Sequence, residues 1–69
     1  MNWVKERPSK PCIFVAKRIF PSRRYYELFM IDTFKDSEGS YLALTDVDGN
    51  EEMPLADLNA DEYLILEEL

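Results

Sequence analysis

Residues 40–53 read SYLALTDVDGNEEM, and they decide what kind of domain this is. Along 40–47 the pattern alternates. Tyr41, Ala43, Thr45 and Val47 fall on one face and Leu42 and Leu44 on the other, the period of a β-strand. Asp48-Gly49 follows at once. Aspartate and glycine tolerate the positive φ that a two-residue type I′ turn demands, so the pair predicts a tight hairpin. Residues 50–53, NEEM, then read as the returning strand, and Pro54 ends it because it has no N–H to donate.

Working outward, residues 12–20, CIFVAKRIF, are dense in β-branched and aromatic types and predict a first strand. Pro21 and Ser22 break it. Residues 24–34, RYYELFMIDTF, predict a longer second strand. Leu28, Phe29 and Ile31 are spaced closely enough for a helix, but two tyrosines, an isoleucine and a threonine favour the strand. Residues 35–39, KDSEG, make a polar turn. Downstream, residues 54–60 form a short helical turn at most, and residues 62–68, EYLILEE, form the last strand. Residues 1–11 hold Pro8 and Pro11 and read as an extended lead-in, with Trp3 folded back as an anchor.

The expected fold is therefore mostly β: one domain over residues 1–69, with five short strands and one helical turn before the last. Such a set suits a closed or nearly closed small barrel, which protects its edges. The competing reading is α+β, with residues 24–34 or 54–62 helical against a three-stranded sheet.

Composition bounds what can hold this together. The chain has 69 residues, one cysteine and no histidine. Cys12 cannot form an intrachain disulfide, and without histidine a zinc site lacks a recognised ligand set. A small domain with no such staple depends on apolar packing or on a partner chain. Nine aromatics and a 46% hydrophobic content supply the packing. The longest apolar run, residues 12–16, is far short of the ~20 residues that cross a bilayer, and residues 1–10 lack the apolar core of a signal peptide. A lone cysteine suits a reducing compartment. These features predict a cytoplasmic protein with no membrane association.

Residues 41–66, YLALTDVDGNEEMPLADLNADEYLIL, resemble the second half of a Tudor-type, SH3-like barrel. The matching residues are Asp48, Gly49, Asn50, Glu52, Pro54, Leu55, Asp57 and Leu58. The resemblance implies a five-stranded SH3-like barrel. Tudor domains that bind methylated residues use an aromatic cage, for which Phe34, Tyr41, Tyr25 and Tyr26 are the available walls. The tyrosine usual between the hairpin Asp and Gly is absent here, so cage binding is not carried over. The opening Trp3-Val4-Lys5-Glu6-Arg7-Pro8 is similar to the start of small uncharacterised phage and prophage proteins, which implies a mobile-element origin.

Charge is divided unevenly. Residues 1–35 hold all eight cations and three carboxylates, a net of +5, whereas residues 36–69 hold eleven carboxylates and no cation. Interleaved strands would set these charges against one another across the sheet, and cross-strand attraction explains part of such a division. The densest basic cluster is Lys17, Arg18, Arg23 and Arg24, beside Tyr25 and Tyr26. Cations that neutralise phosphate next to rings that stack on bases suit single-stranded nucleic acid. The same six residues would equally form a contact surface for a protein. The strongly acidic second half allows a third reading, mimicry of nucleic acid by a phage-encoded inhibitor.

Catalysis has no support in the sequence. No histidine is present for general-base work near neutrality. Ile13 and Phe14 predict burial of Cys12, which makes a thiol inert. Gly39 and Gly49 are too far apart for a phosphate loop. Asp46, Asp48, Asn50 and Glu52 alternate like calcium ligands, but Gly49 does not stand where an EF-hand loop needs its glycine, and a hairpin turn accounts for them. No cofactor and no metal is expected. The sequence thus predicts a non-enzymatic interaction module, monomeric or weakly dimeric. Its partner is expected to be a protein, with nucleic acid as the alternative and Lys17, Arg18, Arg23, Arg24, Tyr25 and Tyr26 as the contact residues.

Overall fold

A computed structural model describes residues 2–49 and 51–69. Five strands form one antiparallel sheet: β1 (Cys12–Ile19), β2 (Arg24–Asp36), β3 (Gly39–Thr45), β4 (Met53–Pro54) and β5 (Glu62–Glu68). The order is β4-β3-β2-β1-β5, a meander whose last strand returns to the free side of β1. A single 3-10 turn, Leu55–Asp57, precedes β5. The mostly β domain with a helical turn before its last strand is thus as expected, and neither helix of the α+β alternative forms.

One face of the curled sheet makes the core. Cys12, Phe14 and Ala16 of β1 alternate inward, and Ile31, Leu44 and Tyr63 join them from β2, β3 and β5. The register sets Phe14 between Phe29 and Ile65 and sets Ala16 between Glu27 and Tyr63. Phe14 is fully buried and its ring lies 5.9 Å from that of Phe29 and 6.1 Å from that of Tyr63. Leu58 closes over this cluster, with Leu55, Met53 and Ala60 packed beside it.

The sheet does not close into a barrel. β4 is only two residues long and pairs with β3 alone, at Ala43↔Pro54 and Leu44↔Met53. β5 pairs with β1, and β4 and β5 remain the two edges. The gap is bridged by the N-terminal segment. Val4 donates to the Tyr63 carbonyl at 2.9 Å and accepts from the Tyr63 N–H at 2.7 Å, adding one bridge to the outer edge of β5. A few residues on, Arg7 Nη1 donates to the Leu55 carbonyl at 3.3 Å and, more weakly, to that of Leu58 at 3.5 Å. Pro8 is buried, and the Leu69 N–H donates to the Pro11 carbonyl at 3.0 Å. The lead-in is a strap across the opening.

β3 and β4 pair in the register of a hairpin centred on Asp48-Gly49, as expected. The type I′ turn itself does not form, because Asp48 does not take a positive φ. Asp46 Oδ1 accepts from the Asp48 N–H at 3.1 Å, its carbonyl accepts from the Gly49 N–H at 3.0 Å, and Gly49 takes φ 77°. The side chain of Asp46 has captured the turn, as aspartates do, and strand pairing resumes only at Met53. The returning strand expected over residues 50–53 is thereby reduced to Met53–Pro54, and its Asn50 lies outside the described residues. Pro54 is the last residue of the strand and ends it, on an edge where its missing N–H costs no ladder bond. The polar turn expected over residues 35–39 forms as a two-residue turn at Ser37-Glu38, between the paired Asp36 and Gly39. Asp36 Oδ1 accepts from the Glu38 N–H at 2.8 Å, and Gly39 at φ 131° takes a conformation that a side chain would resist.

Because Phe14 touches both neighbouring rings, Phe14→Ala is expected to cost about 3–5 kcal/mol. A domain of this length holds roughly 3–10 kcal/mol in all, so the variant should be largely unfolded in urea titrations from the first points. Leu28→Ala, at an exposed position of β2, should change stability by under about 1 kcal/mol.

Candidate interaction surface

The β1–β2 hairpin carries the six residues singled out above. Its end is a two-residue turn, Pro21-Ser22, locked by Phe20 N–H to Arg23 carbonyl at 2.9 Å and a weaker return bond at 3.4 Å. Proline at the first turn position is favoured because its φ is already set. From Arg18 to Leu28 every residue is exposed, so this hairpin stands out from the core while β2 runs on behind it. Leu28, Tyr26, Tyr25, Phe20 and Ile19 are apolar or aromatic and yet 40–57% exposed.

Strand alternation divides the side chains between two faces. On the core-side face, Arg18, Phe20, Arg23 and Tyr25 stand together. The Phe20 ring meets Tyr25 edge-on at 5.4 Å, and the Arg23 guanidinium lies 4.6 Å from the centre of the Tyr25 ring. On the opposite face Lys17 pairs with Tyr26 across the strands and Ile19 with Arg24. Trp3 reaches this face from the strap. Its ring lies 6.0 Å from Tyr26, and Lys17 Nζ sits 4.1 Å from its centre. Lys17 Nζ also pairs with Glu62 Oε1 at 3.2 Å. Asp61 fixes the hairpin base: its Oδ2 accepts from the Ile19 N–H at 2.6 Å, and its own N–H donates to the Lys17 carbonyl at 2.8 Å.

The six residues therefore share one hairpin but not one role. Lys17 is half-buried between Trp3 and Glu62 and acts in holding the strap. Arg18, Arg23, Arg24, Tyr25 and Tyr26 are exposed. Among the described residues the Lys17–Glu62 pair is the one ion pair. Cross-strand attraction thus accounts for a single cation of the hairpin, and Arg18, Arg23 and Arg24 face solvent without a carboxylate partner. Phe20 and Ile19 belong to this surface as well, and their place in the same apolar-basic run of sequence was the signal for them. Trp3, Asp61 and Glu62 are brought there by the strap and by β5, which no local pattern announces.

The four candidate cage walls do not converge. Tyr25 and Tyr26 point to opposite faces of the hairpin, while Phe34 and Tyr41 stack on each other at 6.0 Å toward the far end of β2. Tyr41 donates to Glu52 Oε1 at 2.6 Å, and that hydrogen bond is the main cause holding its phenol above the ordinary tyrosine pKa. Among the described residues no three histidine, cysteine or acidic side chains are placed to share a metal ion. The calcium-like alternation also included Asn50, which lies outside the described residues. Among the described residues no helix is long and apolar enough to cross a membrane. A groove of about 430 Å³ lies between the strap and β5, floored by Cys12 and Ile65 and flanked by Pro8, Pro11 and Leu69.

Comparison with protein-family profiles, with curated proteins and with solved structures finds no match to this chain.

Cys12 is buried at the core end of β1, and its thiol pKa is raised, first by burial and then by the nearby Glu68 carboxylate. A raised thiol pKa means that the fold holds the proton more tightly than the unfolded chain does. Its contribution to stability is thus full below the ordinary thiol pKa and is lost as pH rises through the raised native value. Unfolding free energy should accordingly begin to fall as pH rises past the ordinary thiol value of 9.0. Labelling of Cys12 by a thiol reagent should be at least about tenfold slower in the native state than in urea. Equal rates would place the thiol at the surface.

Proposed function

We propose that this chain is a non-enzymatic interaction module that binds another protein through the β1–β2 hairpin. The observation that carries this reading is the run of exposed apolar and aromatic side chains on a hairpin that projects from the core, with Phe20, Tyr25 and Tyr26 already braced by neighbours. Large rings presented at low entropic cost are what binding hot spots are made of. Arginine stacked on tyrosine adds a donor fork that is half positioned before the partner arrives. The meander with β5 returned beside β1 supports kinship with the SH3-like small barrels, although closure here falls to the strap.

A photoreactive phenylalanine analogue at position 26 should crosslink to a protein of the source cell. The same analogue at the exposed Val47, in the Asp46–Gly49 turn, should not. Excess wild-type chain should abolish the crosslink, and a Phe20→Ser/Tyr25→Ser variant should compete at least about tenfold less well. Equal crosslinking at both positions would remove the hairpin from the mechanism.

The unpaired Arg18, Arg23 and Arg24 favour a second reading, single-stranded nucleic acid bound through the same hairpin with Tyr25 or Tyr26 stacked on bases. That reading expects a short mixed-sequence oligonucleotide to shift the amides of residues 17–26 at low salt. It expects the affinity to fall steeply toward physiological salt and to vanish in Arg23→Glu/Arg24→Glu. Binding that survives the double variant would refute it.

A further inference from the structure

We propose that the segment seated on the β1–β2 hairpin is acidic: a short extended stretch of a partner protein whose carboxylates are taken by Arg18 and Arg23, which share the core-side face. This rests on the hairpin being the protein-binding surface and names the chemistry of what it binds.

The argument begins with ion pairing within the chain. Fourteen acidic residues accompany eight basic ones, so carboxylates are in excess. A basic cluster in such a chain would be expected to find them if its role were internal. Lys17 does, through Glu62. The three arginines do not, although Arg18 borders the same small cavity as Glu27, Glu51 and Asp57. Asp61, at the hairpin base, is committed to the Ile19 N–H. Residues 17–26 thus hold four positive charges and no negative one, and three of the four lack a counterion among the described residues. Like charges so close on paired strands repel. A partner carboxylate would relieve that repulsion, and the planar guanidinium fork accepts it with two parallel hydrogen bonds.

Size and boundary then favour a peptide over a polynucleotide. The unpaired positive surface spans about three residue pairs of ribbon, roughly 10 Å at ~3.3 Å per residue. Glu27 stands directly beyond Tyr25 on the core-side face, and Glu62 stands opposite Lys17 on the other. A phosphate backbone running past these limits meets carboxylates. An extended peptide of a few residues has the same rise as the ribbon. Its side chains can offer a carboxylate to an arginine and an apolar group to Phe20 or Tyr25.

Backbone amide spectra of the full chain test this with three probes: a short peptide alternating glutamate and tyrosine, its glutamine counterpart, and oligothymidine of matching length. The glutamate peptide should shift the amides of residues 18–26, and the glutamine peptide should bind at least about tenfold more weakly. Arg23→Glu/Arg24→Glu should abolish the effect while amides outside the hairpin keep their positions. Arg18→Glu serves as a second, independent variant. Equal binding of both peptides at the hairpin would overturn the acidic partner and leave the hairpin as the protein-binding surface. Shifts confined to other residues would overturn both. Stronger shifts of the same amides by oligothymidine would overturn the proposal in favour of nucleic acid. Silence from all three probes would overturn the acidic partner, and the crosslink at position 26 would still report separately on the hairpin.

Discussion

Tyr63 is the residue on which this structure turns. Its backbone forms both hydrogen bonds of the single bridge to Val4 and so holds the strap to the edge of β5. Its ring packs on Phe14 at the centre of the core. Its hydroxyl accepts from the Ala60 N–H at 3.2 Å and lies 3.5 Å from the Ala60 carbonyl, to which it donates. That pair of contacts fixes the entry into β5 and satisfies a polar group inside an apolar surround, where an unmade bond would cost about 1–3 kcal/mol. Three otherwise separate parts, the strap, the sheet and the segment after the 3-10 turn, meet at one residue. In a domain whose single cysteine allows no intrachain disulfide, such convergence does the work of a staple.

The sequence patterns carried the strands better than the geometry of their connections. β1, β2, β3 and β5 lie within two residues of their expected positions, because alternating β-branched and aromatic residues leave few other ways to bury a face. Between β3 and β4 the pairing follows the Asp48-Gly49 signal, but the turn geometry is set by Asp46, whose carboxylate is within reach of the Asp48 N–H. The polar run over residues 35–39 announced the turn at Ser37-Glu38. There the aspartate and glycine that shape the turn stand on either side of it. Barrel closure was not legible at all. It depended on whether residues 51–54 could hold enough ladder to reach β5, and on a strap whose attachments, Val4, Arg7 and Pro8, look like ordinary lead-in residues.

The candidate surface was legible to the extent that it is local. Lys17, Arg18, Arg23, Arg24, Tyr25 and Tyr26 are close in sequence, and a hairpin keeps them close in space. Their division between two faces follows from strand alternation. What the sequence left open was which cations are free, because the partner of Lys17 comes from β5 and the ring above it from the strap. The uneven distribution of charge along the chain is therefore partly architectural, at Lys17 and Glu62, and otherwise unneutralised at the hairpin.

The return of β5 to β1 also sets the order in which the molecule can assemble. Cys12 pairs with Glu68, and Val4 with Tyr63, so the first strand and the strap both find their partners at the opposite end of the chain. Loop-closure entropy has to be overcome before these contacts contribute, which is the signature of high contact order and of folding in milliseconds to seconds rather than microseconds. On the ribosome, β1 to β3 can emerge as a meander, but Phe14 lacks one wall until Tyr63 has left the exit tunnel. The fold is thus completed after synthesis of its last strand, not during it, and until then the outer edge of β1 remains open to pairing with any neighbouring nascent chain.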